Sequence, residues 1–289
     1  MHVVSVVSTK GGVGKTTVAA NLGGLLADAG LRVLLLDLDS QPTLSTYYAM
    51  HHAAPAGVYE LLALNLTDPA QVLSNTAITG LDLILSNDDQ GRLGTLLLHA
   101  PDGRLRLRNL LDTFRPSYEL LLIDTQGARS VVLEMALLCS DLAISPITPD
   151  MLAAREFYRG TQQLLKDLEP LAALGVYTPP LNIVINKLDA TNDASLIYQS
   201  LTETLADHPQ INLLQTTLPA AVSFRRAATE GIPAHRLEYR QPLNRRSPSA
   251  FNVIKALAVE LFPEWKAQFE LLSEQTLNNR RKADQEVAS

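Results

Sequence analysis

The chain has 289 residues, 46% of them hydrophobic and 19% charged, with a formal net charge of −6. That balance excludes a disordered polymer and provides enough apolar side chains for a substantial core. The single cysteine, Cys139, excludes an intramolecular disulfide and reads as a small buried residue, and no uncharged run of about 18 apolar residues offers a membrane span.

Val3 to Val7 is an apolar, β-branched run that reads as a strand. The apolar start is interrupted at once by Lys10 and the glycines after it, which does not fit a signal peptide and points to a cytoplasmic protein. Residues Thr9-Lys10-Gly11-Gly12-Val13-Gly14-Lys15-Thr16-Thr17 read as a phosphate-binding loop of the G-x-x-x-x-G-K-[ST] kind. Val18 to Ala29, rich in Ala and Leu and closed by Gly30, predicts the helix that should follow such a loop. Glycines 11, 12 and 14 let successive N–H groups turn toward phosphate oxygens at a helix N-terminus. In that arrangement Lys15 reaches the β- and γ-phosphates, the Thr16 hydroxyl ligates Mg²⁺, and Thr17 donates to the α-phosphate.

Leu31 to Leu36 is the next nearly unbroken apolar run, and it delivers Asp37-Leu38-Asp39-Ser40-Gln41 at its C-terminal end. Period-two spacing puts both carboxylates on one side, where they can hold metal-bound water and an attacking water. Tyr118 to Ile123 ends in Asp124-Thr125-Gln126-Gly127-Ala128, and a buried strand finishing in one aspartate suits Mg²⁺ held through water. Arg129 reads as a surface arginine, with an interfacial or phosphate-facing place left open.

Further strand-like runs at Leu81–Leu85, Leu142–Ile147, Leu181–Ile185 and Leu213–Leu218 alternate with helical stretches. The fold class is therefore α/β, a doubly wound, mostly parallel sheet flanked by helices. Residues 1–262 read as one domain. Residues 263–289 read as a C-terminal segment, with a helix over Glu264–Leu277 after Pro263 and a frayed tail from Asn278 to Ser289.

The overall acidity does not advertise nucleic acid, yet the basic residues are unevenly placed. Val222 to Ala250 holds Arg225, Arg226, Arg236, Arg240, Arg245 and Arg246 against Glu230 and Glu238.

An ordinary phosphate-binding loop does not require Lys10. The string Lys-Gly-Gly-Val-Gly-Lys-Thr-Thr resembles the deviant Walker A box of the ParA/MinD family of partitioning and positioning ATPases. The resemblance implies that Lys10 crosses a dimer interface to the partner's nucleotide, so that ATP holds a homodimer together. Asp37 to Gln41 is similar to the family's D-x-D-P-Q box, with Ser40 where proline is usual. By that likeness Asp39 orients or deprotonates the attacking water and Asp37 supports the Mg²⁺ shell. Asp124 resembles the Walker B aspartate, although Gln126-Gly127 stands where the family commonly has two prolines. Val184 to Lys187 is similar to the strand end where the family's asparagine touches adenine, which implies Asn186 as a base contact. Thr217-Leu218-Pro219 is similar to the family's later nucleotide-side segment and brings in Pro219.

The family's known behaviour implies non-specific DNA binding by the ATP dimer through the six arginines, release by slow hydrolysis, a ParB-like activator protein and a nucleoid-associated location. The first strand begins almost at Met1, so an N-terminal helix-turn-helix for operator recognition is not expected. One cysteine argues against the nitrogenase iron-protein branch, which supplies two per subunit. Two alternatives stay open: a MinD-like membrane- or protein-positioning ATPase, and a nucleotide-gated regulatory adaptor with little turnover. A ligase of the dethiobiotin synthetase kind should lack the Lys10 signature. Trp265, Phe269 and Leu272 followed by Arg280-Arg281-Lys282 are the features a membrane reading needs, but Glu264, Glu270 and Glu274 dilute the basic face and favour core packing.

Overall fold

The computed structural model describes residues 1–188, 192–205, 210–243, 245 and 247–287. Its strands, β1 (His2–Val6), β2 (Val33–Asp37), β3 (Met50–His52), β4 (Ser74–Thr76), β5 (Leu81–Ile84), β6 (Leu120–Asp124), β7 (Leu142–Ile147), β8 (Leu181–Ile185) and β9 (Ile211–Leu213), form one sheet. Their spatial order is β3-β4-β5-β2-β6-β1-β7-β8-β9. Only β4 runs against its neighbours. The doubly wound α/β architecture expected from the alternating pattern is present.

Every residue of β2 and β6 is buried, because helices cover both faces of the sheet and both alternating sets of side chains must be apolar. On one face Val4, Val6, Leu35, Leu83 and Leu122 pack with helices Lys15–Asp28 and Ala250–Leu261. On the other, Val3, Leu34, Leu36, Leu121 and Ile123 meet helices Val58–Leu64, Arg92–His99 and Val131–Leu138. A third cluster joins Ala143, Ile147, Ile183 and Ile185 to Phe157 and Leu164 of helix Met151–Leu168.

Register then places the chemistry. Val6 of β1 and Asp37 of β2 are both aligned with Asp124 of β6. The segments leaving these three strands therefore emerge side by side at the C-terminal edge, where open α/β sheets bind ligands. The Asn186 amide donates to Ile147 O at 2.8 Å, which extends that edge to the end of β8.

Strands β3 and β4, three residues each, have no counterpart in the sequence reading. They are too short to show a period, and β3 is largely exposed, so pairing rather than propensity makes them. The run read as a strand over Leu213–Leu218 instead pairs over Ile211–Leu213 and goes on irregularly, with Leu214 N–H on Ile183 O and Leu218 N–H on Ile185 O.

The C-terminal segment also differs from expectation. A short turn at Pro263–Trp265 and a helix at Lys266–Glu270 precede a separate helix, Glu274–Val287. Ser273 makes the break, since its N–H donates to Thr276 Oγ1 and its Oγ accepts the Thr276 N–H, a reciprocal cap. Within the tail expected to fray, residues 278–287 are helical and are tied down by buried Asp284, which accepts from Thr79 N and Oγ1 at 3.0 and 2.7 Å and from Arg236 Nη1 at 2.7 Å. Among the described residues no helix is long and apolar enough to cross a membrane.

Candidate functional site

The loop after β1 turns at Gly12 and Gly14, whose φ angles are +75° and +94°. Thr9 occupies the first glycine position of the general phosphate-loop pattern, so these two glycines carry the left-handed conformations. A β-carbon on Gly14 would in addition stand 2.1 Å from Asn186 Nδ2, so a side chain there would have to displace the Asn186 amide. Backbone contacts pin Lys10: its N–H donates to Ser8 Oγ at 3.1 Å, and its carbonyl accepts from Lys15 Nζ at 3.4 Å. Lys15 is buried, and burial lowers its pKa while the carboxylates of Asp124 and Asp39 oppose that shift.

Thr16 Oγ1 donates to Asp124 Oδ2 at 2.6 Å, which joins the helix after the loop to the end of β6. Asp124 is fully buried and its pKa is pushed up to about 8, chiefly by burial, with the Thr16 hydrogen bond opposing and nearby Asp37 adding to the rise. Burial likewise pushes Asp37 up to about 6, against the pull of hydrogen bonds from Ser45. Asp39 is half-buried; its N–H donates to Asp37 Oδ1 at 3.2 Å and its Oδ1 accepts the Gln41 N–H at 3.0 Å.

Two serines at this site were absent from the sequence reading. Ser45 donates to Asp37 Oδ2 from both N and Oγ, each at 2.7 Å. Ser86, just after β5, donates its N–H to Ser45 Oγ at 2.8 Å and its own hydroxyl to Asp39 O at 2.6 Å. Together they bracket the aspartate pair. No periodic signal marks either one; the only hint is that β5 ends at the same edge of the sheet.

The Gln126-Gly127 pair has a steric explanation. A β-carbon on Gly127 would lie 2.5 Å from Gly11 Cα and 3.0 Å from Lys10 O, so only glycine lets this segment press against the phosphate loop. Arg129 is exposed and pairs with Asp167 at 2.6 Å and with Glu134 at 3.4 Å.

Asn186 is buried directly behind the loop, its Nδ2 donating to Val13 O at 2.7 Å and its Oδ1 accepting the Lys187 N–H at 2.9 Å. Pro219 bridges to Leu188 in parallel fashion, which sets residues 217–219 beside the end of β8. Both sequence-derived nucleotide-side segments thus reach the same edge.

The six arginines separate. Arg225 is exposed on helix Val222–Glu230, and Arg226 beside it, 62% exposed, pairs with Glu230 at 2.6 Å. Arg240 is 80% exposed and pairs with Glu274, while Arg245 is held by Glu238. Arg236 corrects the expectation of a DNA-facing residue: its side chain is 4% exposed and locked between Asp28 at 2.6 Å and Asp284 at 2.7 Å. Asp28 is itself buried; the hydrogen bonds of Arg236 and His235 outweigh that burial and hold its pKa down near 2. Arg246 lies outside the described residues.

A hydroxyl and two buried carboxylates suit an oxygen-seeking dication such as Mg²⁺. Among the described residues no group of three or more His, Cys, Asp or Glu is placed to hold a metal ion.

Residues 1–174 match a protein family described as an AAA domain. The chromosome partitioning protein ParA of Caulobacter vibrioides is 27% identical over 238 residues, which cover 81% of this chain and 86% of that protein. The chain belongs to the ParA/MinD family of P-loop ATPases. The fold of this family member is shared with an ATP complex of Cyanothece McdA, at TM-score 0.73 and 20% identity over 94% of this chain and 98% of that one. Cobyrinic acid a,c-diamide synthase of Mycobacterium smegmatis, with an ATP analogue and magnesium bound, matches at TM-score 0.64 and 25% identity over 86% of this chain and 99% of that one.

Proposed function

We propose that the chain is a partitioning ATPase that dimerises on MgATP, binds DNA without sequence preference as the dimer, and is reset by slow hydrolysis. One observation carries this reading: the ends of β1, β2 and β6 stand in register and bring Lys15, Thr16, Asp37, Asp39 and Asp124 to one edge, beside a loop that also carries Lys10. Bound MgATP supplies a γ-phosphoryl group open to in-line attack by water, a reaction that needs positioning and charge neutralisation above all. Lys15 meets the β- and γ-phosphates. Thr16 holds the cation, with Asp124 and Asp37 supporting its water shell. Asp39, just past the end of β2 and more exposed than Asp37, orients or deprotonates the attacking water. Lys10 acts across the dimer interface.

The DNA side of the reading is supported by exposed Arg225 and by Arg226, whose surface pair with Glu230 is weak enough for a phosphate to displace. A membrane role has less support, since Phe269 and Leu272 are buried in the core and the Trp265 ring packs against His2 and Phe262. Binding to unrelated DNA duplexes, measured with ATP, with ADP and without nucleotide, tests the proposal. Retention only with ATP is expected. DNA binding indifferent to nucleotide, or flotation with liposomes in its place, contradicts it.

A further inference from the structure

Lys187 adopts φ +58°, a left-handed conformation that a lysine takes at a cost. From there its Nζ donates to Gly12 O at 2.8 Å, across 175 residues of sequence. Its neighbour Asn186 donates from Nδ2 to Val13 O at 2.7 Å. Two successive carbonyls of the phosphate-binding loop are therefore held by two successive side chains at the end of β8. In a trans peptide the N–H points away from the carbonyl of the same unit. Fixing Gly12 O thus fixes the Val13 N–H, and fixing Val13 O fixes the Gly14 N–H. Neither amide can swing round toward β8 without breaking one of these bonds.

We propose that Asn186 and Lys187 are positioning residues for the phosphate-binding loop, acting on its carbonyls and through them on its amides. The inference rests on the nucleotide-binding reading of the loop. It is separate from the adenine contact that family resemblance implies for Asn186, because the Asn186 amide already bonds backbone at both ends, Nδ2 with Val13 O and Oδ1 with the Lys187 N–H, and so ties the loop to β8 whether or not its second N–H meets a base. Lys187 is exposed, so its side chain can be replaced without opening the core.

The discriminating experiment is calorimetric titration of the full chain with ADP, with GDP and with inorganic tripolyphosphate, each with Mg²⁺. A brace on the loop affects every phosphate ligand alike, whereas a base contact affects ADP alone. Lys187→Met is expected to weaken all three ligands by the same factor, about tenfold, as for loss of a charge-assisted hydrogen bond. Lys187→Arg, which can still reach the carbonyl, restores most of that loss. Asn186→Ala, checked for folding by thermal melting, follows the same even pattern. Unchanged affinities in Lys187→Met, or a loss confined to ADP in Asn186→Ala, would overturn the proposal. Failure of the unmodified chain to take up any of the three would instead sink the nucleotide reading, and Lys15→Ala supplies the reference for a dead site. If Asn186→Ala does not fold, the Lys187 pair of variants decides the matter.

Discussion

Gly127 and Gly11 meet backbone to backbone, so close that a β-carbon on Gly127 would stand 2.5 Å from Gly11 Cα. The segment after β6 is thus a wall of the loop that follows β1. Gly127→Ala must push main chain against main chain, which cannot give way as a flexible side chain would. A destabilisation of about 1–3 kcal/mol is expected from such overpacking, with a weakening of MgATP binding of tenfold or more, read by thermal unfolding and calorimetry. Gly94→Ala is the control: a β-carbon there meets nothing within 4 Å, and no cost is expected.

The buried carboxylates give the nucleotide-free protein a defined response to pH. Asp37 is raised to about 6 and Asp124 to about 8 from the ordinary 3.8, so between roughly pH 4 and pH 8 the folded chain keeps protons that the unfolded chain has released. Stability without Mg²⁺ is therefore greatest at the acid end of that window and falls as pH rises through it. Asp124→Asn removes the larger contribution and should stabilise the metal-free protein at pH 8 by on the order of 1–3 kcal/mol, with little gain near pH 4.5. Denaturant unfolding at the two pH values checks this, and an equal effect at both would contradict it.

Ser86 holds the Asp39 backbone and braces Ser45 against Asp37, while Thr16 and Lys15 bond Asp124 and the Lys10 carbonyl instead. Ser86→Ala is expected to lower turnover by about two- to tenfold, the value of one hydrogen bond, while leaving nucleotide affinity within twofold. Steady-state ATP hydrolysis and nucleotide titration separate the two quantities. A loss of affinity with kcat unchanged would mean that this serine supports binding instead.

Much of this architecture could be read in the chain. The apolar runs ending in Asp37 and Asp124 were legible because a strand buried on both faces leaves no polar residue until it reaches solvent or a site. Gly14, Lys15 and Thr16 stood out because the general phosphate-loop pattern sets a glycine, a lysine and a hydroxyl residue in succession between a strand and a helix. Ser45, Ser86 and Lys187 were not, since their roles rest on hydrogen bonds formed by tertiary approach, with the two serines 41 positions apart and Lys187 175 from Gly12. The helix Glu274–Val287 was hidden for a related reason: its sequence is polar, and Asp284 anchors it through Thr79 and Arg236, partners that no local pattern reveals.

The arginines divide into structural and surface residues, and the two kinds predict opposite outcomes. Arg236→Met leaves Asp28 and Asp284 buried without their cation and should cost about 3–5 kcal/mol in unfolding experiments. The double change Arg225→Ala with Arg226→Ala should leave the melting temperature nearly unchanged. If each arginine meets one phosphate, a dimer loses four contacts and the slope of log affinity against log salt flattens by roughly 3 to 4, alike on unrelated duplexes. An unchanged slope would remove both residues from the DNA surface.

One measurement tests ATP-driven dimerisation most directly: the molar mass of the chain in solution, by light scattering during size-exclusion chromatography, with and without MgATP. The unmodified chain should shift from monomer to dimer with ATP and return as hydrolysis proceeds. Lys15→Ala should remain a monomer, Lys10→Ala should bind nucleotide but not dimerise, and Asp39→Ala should accumulate a persistent ATP dimer. A mass that ignores ATP in the unmodified chain, or an Asp39→Ala chain that binds ATP and stays monomeric, would contradict the account.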